Sequence, residues 1–386
     1  MRDDWPVRLL FTSTPLDGHV RPLLPLAHAL RSRGHDVAFV THESWHGHIE
    51  TEGFPVFAGG VAHAEARLQL VPFLDEIQAL PPLERRQHVY PRLFGRGHAP
   101  AKLDGLLRAG NEWQPDALVW ESSDLAGAIA AAALGIPAVN HSFGAMVPLA
   151  ALRRSEDAAL PLWRRVGVEP QPYAGAFSGL YVDSCPPSLA WERPLGETVL
   201  LGPASTGEPS PPTWLDDLER PLVYVTLGTV FNDPATFRHV LDGLGDVAGA
   251  LVTTGRDVDP STLGPVPAHV RVEQFVPQED VLPACAAVVA HGGSGSTLAA
   301  LAHGLPLVLV PQGADQFENA ARVDTAGAGV VVQPEALSGE SVRAALQRVL
   351  GEASLADAAR KVAAEISAMP TPGEVAIVVE GYVARG

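Results

Sequence analysis

The segment from Ala287 to Gly304, AVVAHGGSGSTLAALAHG, holds the residues best suited to chemistry. A strand-like apolar run ends at His291. A Gly-Gly-x-Gly turn follows, and a helix-like run closes at Gly304, a residue that favours a helix C-terminus. Glycines let a backbone approach a bound oxyanion closely. The amides around Ser294 to Thr297 would point at such an anion, joined by the Ser296 and Thr297 hydroxyls. The helix dipole would add about 0.3–1 kcal/mol. The loop has no lysine, so it is not a G-x-x-x-x-G-K phosphate loop. A dinucleotide fingerprint fits on paper, with Gly293, Gly295 and Leu298 at its glycine positions and Asp315 twenty residues past Gly295. The third glycine is missing, however. Asp315 also falls five residues beyond the next strand, whereas a ribose-binding acid belongs at that strand's end.

The other reactive side chains are scattered. His19 sits in Gly18-His19-Val20-Arg21-Pro22, and spacing alone makes it a loop or packing residue before a base. Cys185 and Cys285 lie far apart and outside any C-x-x-C pattern, so neither a metal site nor a disulfide framework is expected. Histidines 42, 46, 48, 63, 88, 98 and 141 show no metal-ligand spacing, and surface or loop positions are their default.

These residues need elements to hold them. Residues 7–13, a Pro/Gly loop at 14–21, a helical pattern at 22–33, a strand at 36–41 and a helix at 44–52 give β-α-β-α order. Such order predicts a parallel sheet covered on both faces. Residues 61–110 are less regular, with prolines at 72, 81, 82, 91 and 100. A strand at 117–121, a buried helix at 125–134 and a strand at 137–141 follow, and 143–182 again carries loop chemistry with large apolar side chains. GPASTGEPSPP, residues 202–212, holds four prolines and reads as a linker. A second α/β pattern follows, with strands expected at 222–227, 250–253, 270–274, 287–291, 306–310 and 329–333 and helix from about 338 onward. The expected fold is α/β: two Rossmann-like parallel-sheet domains facing a cleft that holds the ligand. The expected division is a first Rossmann-like domain at 1–203, a linker at 204–218, a second Rossmann-like domain at 219–366, and a C-terminal helix at 367–386 packing back on the first domain.

Composition narrows the class of function. The chain has 386 residues with 27 Lys+Arg against 44 Asp+Glu, a formal charge of −17. That balance argues against binding nucleic acid over a broad surface and against an anionic membrane as partner. A small phosphorylated ligand stays open, because backbone amides bind phosphate inside an acidic protein. Only Lys102 and Lys361 are lysines. No apolar stretch of the signal-peptide kind opens the chain, and the longest apolar run, 125–139, is too short to span a bilayer. A cytoplasmic protein is expected.

The run Phe275-Val276-Pro277-Gln278, then His291-Gly-Gly-Ser-Gly-Ser-Thr297, then Pro306 through Pro311 to Asp315-Gln316 and Asn319, resembles the signature of GT-B glycosyltransferases. More closely, it is similar to family 1, the natural-product and macrolide enzymes of actinobacteria with their plant relatives. The resemblance spans essentially the whole chain, and Gly18-His19-Val20-Arg21-Pro22 looks like that family's acceptor-base motif. It implies an inverting glycosyltransferase that moves a sugar from a nucleoside diphosphate to a hydroxyl of a small lipophilic acceptor, with the domain at 1–203 binding the acceptor and the domain at 219–366 the nucleotide-sugar. His19 corresponds to the general base, and Glu121 stands where relatives carry an acid that orients it; Asp124 and Asp17 are the alternatives. Phe275 corresponds to the aromatic stacked on the nucleobase and Val276 to its backbone partner, with Gln278 beside them. His291, Gly293, Ser294, Gly295, Ser296 and Thr297 correspond to diphosphate ligands, and Gly228 and Thr229 to a further donor-site turn. Asp315 and Gln316 correspond to the pair that holds the sugar hydroxyls. No metal or other cofactor is implied, and a homodimer is an open expectation.

Two departures from the family matter. Relatives that use UDP-sugars often carry a ribose-binding Glu eight positions after the histidine, and here that position is Ala299. An Ala accepts no hydrogen bond from a ribose 2′-hydroxyl, so a dTDP-sugar is favoured over a UDP-sugar. The plant-type Asn is replaced by Gly295, which leaves more of the phosphate to backbone amides. Plainer readings stand beside these: His291 as a strand terminator, Asp315 as a helix cap, Phe275 as core. A nucleotide-sugar epimerase and a non-catalytic nucleotide-sugar-binding helper are the competing functions.

Overall fold

The structure is a computed structural model and describes residues 6–203, 209–228, 234–245, 249–256 and 258–385. Part of the expected linker, 204–208, and Thr229 lie outside the described residues. The chain divides into two compact units. One comprises Met1–Cys185, Glu192–Ala204 and Pro370–Gly386, and the other Pro186–Trp191 and Ser205–Met369. Residues 186–191 therefore group with the second unit, although they precede the Pro-rich segment.

The first unit is built on seven parallel strands: β1 (Arg8–Thr12), β2 (Asp36–Thr41), β3 (Val56–Ala58), β4 (Ala117–Glu121), β5 (Ala138–His141), β6 (Leu180–Asp183) and β7 (Thr198–Leu200). Their order in the sheet is β3-β2-β1-β4-β5-β6-β7. The central strands read as near-continuous apolar runs because helices cover both faces, and all five residues of β4 are buried. The helix Ala126–Leu134 packs on β4. Its small residues permit close approach, and a Cβ at Gly127 would collide with the Trp120 side chain. This helix ends in left-handed Gly135, and the helix Leu149–Val166 ends in left-handed Gly167. The last helix, Pro372–Val383, starts with a Thr371–Glu374 capping box. It lies on the helix Leu24–Ser32 and is tied there by Glu380, which bonds Arg33 and, at 2.7 Å, His35 Nε2.

The second unit repeats the plan with six parallel strands: β8 (Leu222–Thr226), β9 (Gly249–Thr253), β10 (Val270–Glu273), β11 (Ala287–Ala290), β12 (Leu307–Leu309) and β13 (Gly329–Val331). The order is β10-β9-β8-β11-β12-β13. In both sheets the order reverses beside the first strand, at β1/β4 and at β8/β11. Open α/β sheets bind ligands outside the strand C-termini at such reversals.

Several expectations change. The stretch 143–182 is not mainly loop: an 18-residue helix, Leu149–Val166, runs through it with Pro161 inside. The irregular 61–110 region is largely helical, with a π-helical segment at Pro91–His98 leading into the helix Ala99–Trp113. His98 and His141 are not surface residues; each is buried. Burial pushes the His141 imidazole down to about 4, against the raising pull of its bond to Ser142 and of the Glu121 charge. Among the described residues no single helix is long and apolar enough to cross a membrane.

Two predictions follow from this packing. Gly127→Ala forces a methyl into the Trp120 side chain and is expected to cost about 1–3 kcal/mol in urea unfolding. An unchanged midpoint would contradict the packing. An unfolded His titrates near 6.5, but folded His141 and His291 hold out to about 4. The unfolded chain therefore takes up more protons between those values, and stability falls as pH drops through that window. His141→Asn is expected to flatten the urea midpoint's dependence on pH between 7 and 4.

Candidate functional site

In the first unit the side chains gather where β1 and β4 end. Trp120 pairs with Thr12 in register, which brings Glu121 beside the loop that leaves β1. That loop turns into a short helix, Asp17–Val20, that carries His19. His19 Nδ1 stands 3.0 Å from Glu121 Oε2. The ring is turned so that Nδ1 misses hydrogen-bond alignment, and the two groups stand in close approach. Glu121 is 0% exposed. Its Oε1 accepts from the Ser123 amide at 2.6 Å and its Oε2 from the Thr14 hydroxyl at 3.3 Å. Among the acids weighed for this place, Glu121 is thus the one at His19. Asp17 instead bonds Arg21 at the surface.

Asp124 lies behind this pair. Its Oδ2 accepts from Thr12 Oγ1 at 2.6 Å and stands 3.8 Å from Lys102 Nζ. Lys102 is fully buried and donates to the Ser13 carbonyl at 2.8 Å. Burial pulls its amine down while Asp124 and Glu121 pull it back up. Burial likewise raises Asp124, opposed by Lys102 and the Thr12 hydroxyl. Sequence reasoning passed over Lys102. Its one signal was to be a lysine in a chain with 27 Lys+Arg of which only two are lysine.

In the second unit the corresponding reversal carries the glycine loop. His291 follows β11 directly. Its ring is wedged between two glycines: a Cβ at Gly228 would meet it at 2.7 Å, and one at Gly293 would collide with Nε2. Bulkier residues at 228 or 293 would displace the ring. Burial pushes His291 down to about 4 despite the opposing charge of Asp315, so the imidazole is neutral at ordinary pH. The helix Ser294–Ala302 starts at Gly293 with no side-chain cap, which leaves its first amides to other acceptors. Thr297 Oγ1 is buried and makes no hydrogen bond among the described residues. Ser296 Oγ accepts from Gln278 Nε2 at 3.0 Å, so Gln278 bridges to the helix Ser294–Ala302.

Asp315 precedes the helix Gln316–Thr325 but does not cap it. Its Oδ2 instead accepts from Ser294 Oγ at 3.0 Å and from Asn319 Nδ2 at 3.0 Å. Asn319 also donates to the Gly292 carbonyl at 2.9 Å. One amide thereby fixes the glycine loop to Asp315, a role that motif spacing did not disclose. Gln316 turns its Oε1 onto the Gln312 and Gly313 amides, at 2.8 and 3.1 Å, and only its NH2 remains for a ligand. Phe275 is 45% exposed and so is not core, whereas Val276 is buried. The Arg256 guanidinium lies 3.5 Å over the Phe275 ring. Among the described residues no group of three His, Cys, Asp or Glu side chains is placed to hold a metal ion.

Comparison with known proteins places the chain in a family. Residues 28–228 match the erythromycin biosynthesis protein CIII-like N-terminal domain, and residues 238–381 its C-terminal domain. The chain is 32% identical to the L-demethylnoviosyl transferase of Streptomyces niveus over 98% of both chains. It is 28% identical to the TDP-daunosamine transferase DnrS of Streptomyces peucetius, over 98% of this chain and 97% of the other. The crystal structure of the glycosyltransferase SnogD from Streptomyces nogalater matches with a TM-score of 0.76 at 27% identity, covering 98% of this chain and 100% of that one. The two parallel-sheet units have the GT-B glycosyltransferase fold. The chain belongs to the erythromycin biosynthesis protein CIII-like family and is a glycosyltransferase.

Proposed function

We propose that this enzyme transfers a sugar, with inversion, from a dTDP-sugar to a hydroxyl of a small natural-product acceptor. The observation that carries the reading is the His19–Glu121 pair at the C-terminal ends of β1 and β4. With Nδ1 facing Glu121, Nε2 is the nitrogen left to take the acceptor proton. Glu121 holds the ring's orientation and stabilises the imidazolium formed by the transfer. Base catalysis of this kind contributes about 10²–10⁴-fold. The acceptor oxygen bonds to the anomeric carbon while the carbon–oxygen bond to the diphosphate breaks. The electron pair leaves on the phosphate oxygen.

Charge therefore grows on the diphosphate, and the uncapped start of the helix Ser294–Ala302 meets it with preset amides. Neutral His291, Gly293, Ser294, Gly295, Ser296 and Thr297 complete that site, with the Gly228–Thr229 turn beside it. Asp315 and the Gln316 NH2 bind sugar hydroxyls. Phe275 and the Val276 backbone receive the nucleobase. No metal or separate cofactor takes part.

The preference for dTDP rests on Ala299, whose side chain offers no acceptor to a ribose 2′-hydroxyl. A relative named for a TDP-sugar supports the same reading. The natural-product acceptor rests on relatives named for one, a 3-alpha-mycarosylerythronolide B desosaminyl transferase and a tylactone mycaminosyltransferase.

Two substitutions test this reading. His19→Ala is expected to lower transfer by at least about 100-fold while dTDP affinity, measured by calorimetry, stays nearly intact. A large loss of dTDP binding would refute the base role. Ala299→Glu supplies a charged acceptor and is expected to shift kcat/KM toward UDP-sugars over dTDP-sugars by roughly 10-fold. An unmoved ratio would remove the basis for preferring dTDP.

A further inference from the structure

His19 is surrounded by rings. Its imidazole lies 4.5 Å from the Phe143 ring and 5.8 Å from the Phe94 ring, between centroids. Phe94 continues to Tyr90 at 5.0 Å and to His98 at 5.9 Å, the latter nearly parallel at 19°. His98 stacks in turn on His63, 5.4 Å away at 21°, with His63 Nδ1 3.2 Å from His98 Nε2. Six rings from four separate stretches of chain thus form one strip. His19, Phe143, Phe94 and His63 are partly exposed, and Tyr90 and His98 back them from the interior.

The strip is held in place by the backbone. Phe94 and His98 share the π-helical segment Pro91–His98, a helix type that is rare and often marks functional sites. Its glycines are required by close packing: a Cβ at Gly95 would lie 2.7 Å from the Ala158 Cβ, and one at Gly97 2.7 Å from the Ala66 carbonyl oxygen. The Tyr90 hydroxyl donates to the Ser122 carbonyl, just past Glu121. Burial pushes His98 down to about 3 and His63 to about 4, so neither adds a fixed charge at ordinary pH.

We infer that the acceptor is a planar aromatic ring system bearing a phenolic hydroxyl, seated against Phe143, His19, Phe94 and His63. This inference rests on His19 being the base. Aromatic rings attract one another in offset-stacked and edge-on arrangements that a saturated ring cannot match. A phenol, with a pKa near 10 as in tyrosine, also gives its proton to an imidazole more readily than an aliphatic alcohol does. The phenolic proton goes to His19 Nε2 as the oxygen bonds to the anomeric carbon, and the electron pair of the broken bond leaves on the diphosphate.

The test uses the whole chain and two ten-carbon alcohols. Binding of 2-naphthol is followed by its own fluorescence, and decahydro-2-naphthol competes with it. The saturated alcohol is expected to bind at least about 10-fold more weakly, and Phe143→Leu to weaken naphthol by about 3–10-fold. Equal affinities of the two alcohols for the unsubstituted enzyme overturn the inference, and that comparison needs no variant to fold. Naphthol binding that Phe143→Leu leaves unmoved overturns it as well. His19→Ala separates the two ideas. If it transfers sugar to naphthol at the original rate, the base reading fails, whatever the competition shows.

Discussion

A carboxylate with no access to solvent constrains the first unit more than any other single group. Glu121 is 0% exposed, at the end of a strand buried along its whole length. A charge in that position is costly unless donors surround it. The Ser123 amide, the Thr14 hydroxyl and His19 supply the contacts, and each belongs to a loop that must return to the same point. The turn after β4 is fixed because Ser123 must donate backwards by two residues. The loop after β1 is fixed because Thr14 and His19 must both arrive. Lys102 and Asp124 stand behind, 3.8 Å apart, and pair with each other. The arrangement that satisfies Glu121 is the same one that leaves His19 Nε2 for the proposed acceptor hydroxyl.

The second unit handles charge differently. Its sheet has the same order, and its reactive loop leaves the equivalent reversal point. There the buried imidazole is neutral, wedged by Gly228 and Gly293, and the helix start beside it has no side-chain cap. Asn319 joins the glycine loop to Asp315, so the residues proposed for the diphosphate and for the sugar move as one piece. In the proposed reaction an enzyme with a formal charge of −17 would meet its dianionic donor, and the extra charge on the leaving diphosphate, this way. Oriented dipoles at one point can meet an anion without a basic surface.

Much of this was legible in the residue order, and what was not has physical reasons. The sheets were visible because strands buried on both faces are continuous apolar runs. Glycine punctuation marked the phosphate loop, and the buried helix before β5 was visible in its alanines. The helix Leu149–Val166 was hidden by Pro161 and by charged residues on its outer face. Strand β3 was missed because three residues carry too little pattern. His98 and His141 were assigned to the surface because spacing cannot report burial. Asn319 was visible in the motif, but its three acceptors come from two segments that meet only in the fold. Side-chain networks are properties of tertiary proximity, and a linear pattern shows only one member at a time.

The central claim is that the buried carboxylate makes His19 a base. Glu121→Gln tests it most directly, because the amide keeps the shape and removes the charge. The account expects kcat for transfer to fall by at least about 100-fold, with circular dichroism and dTDP affinity close to those of the unsubstituted enzyme. A Glu121→Gln enzyme that is equally folded and transfers sugar at the original rate would contradict it.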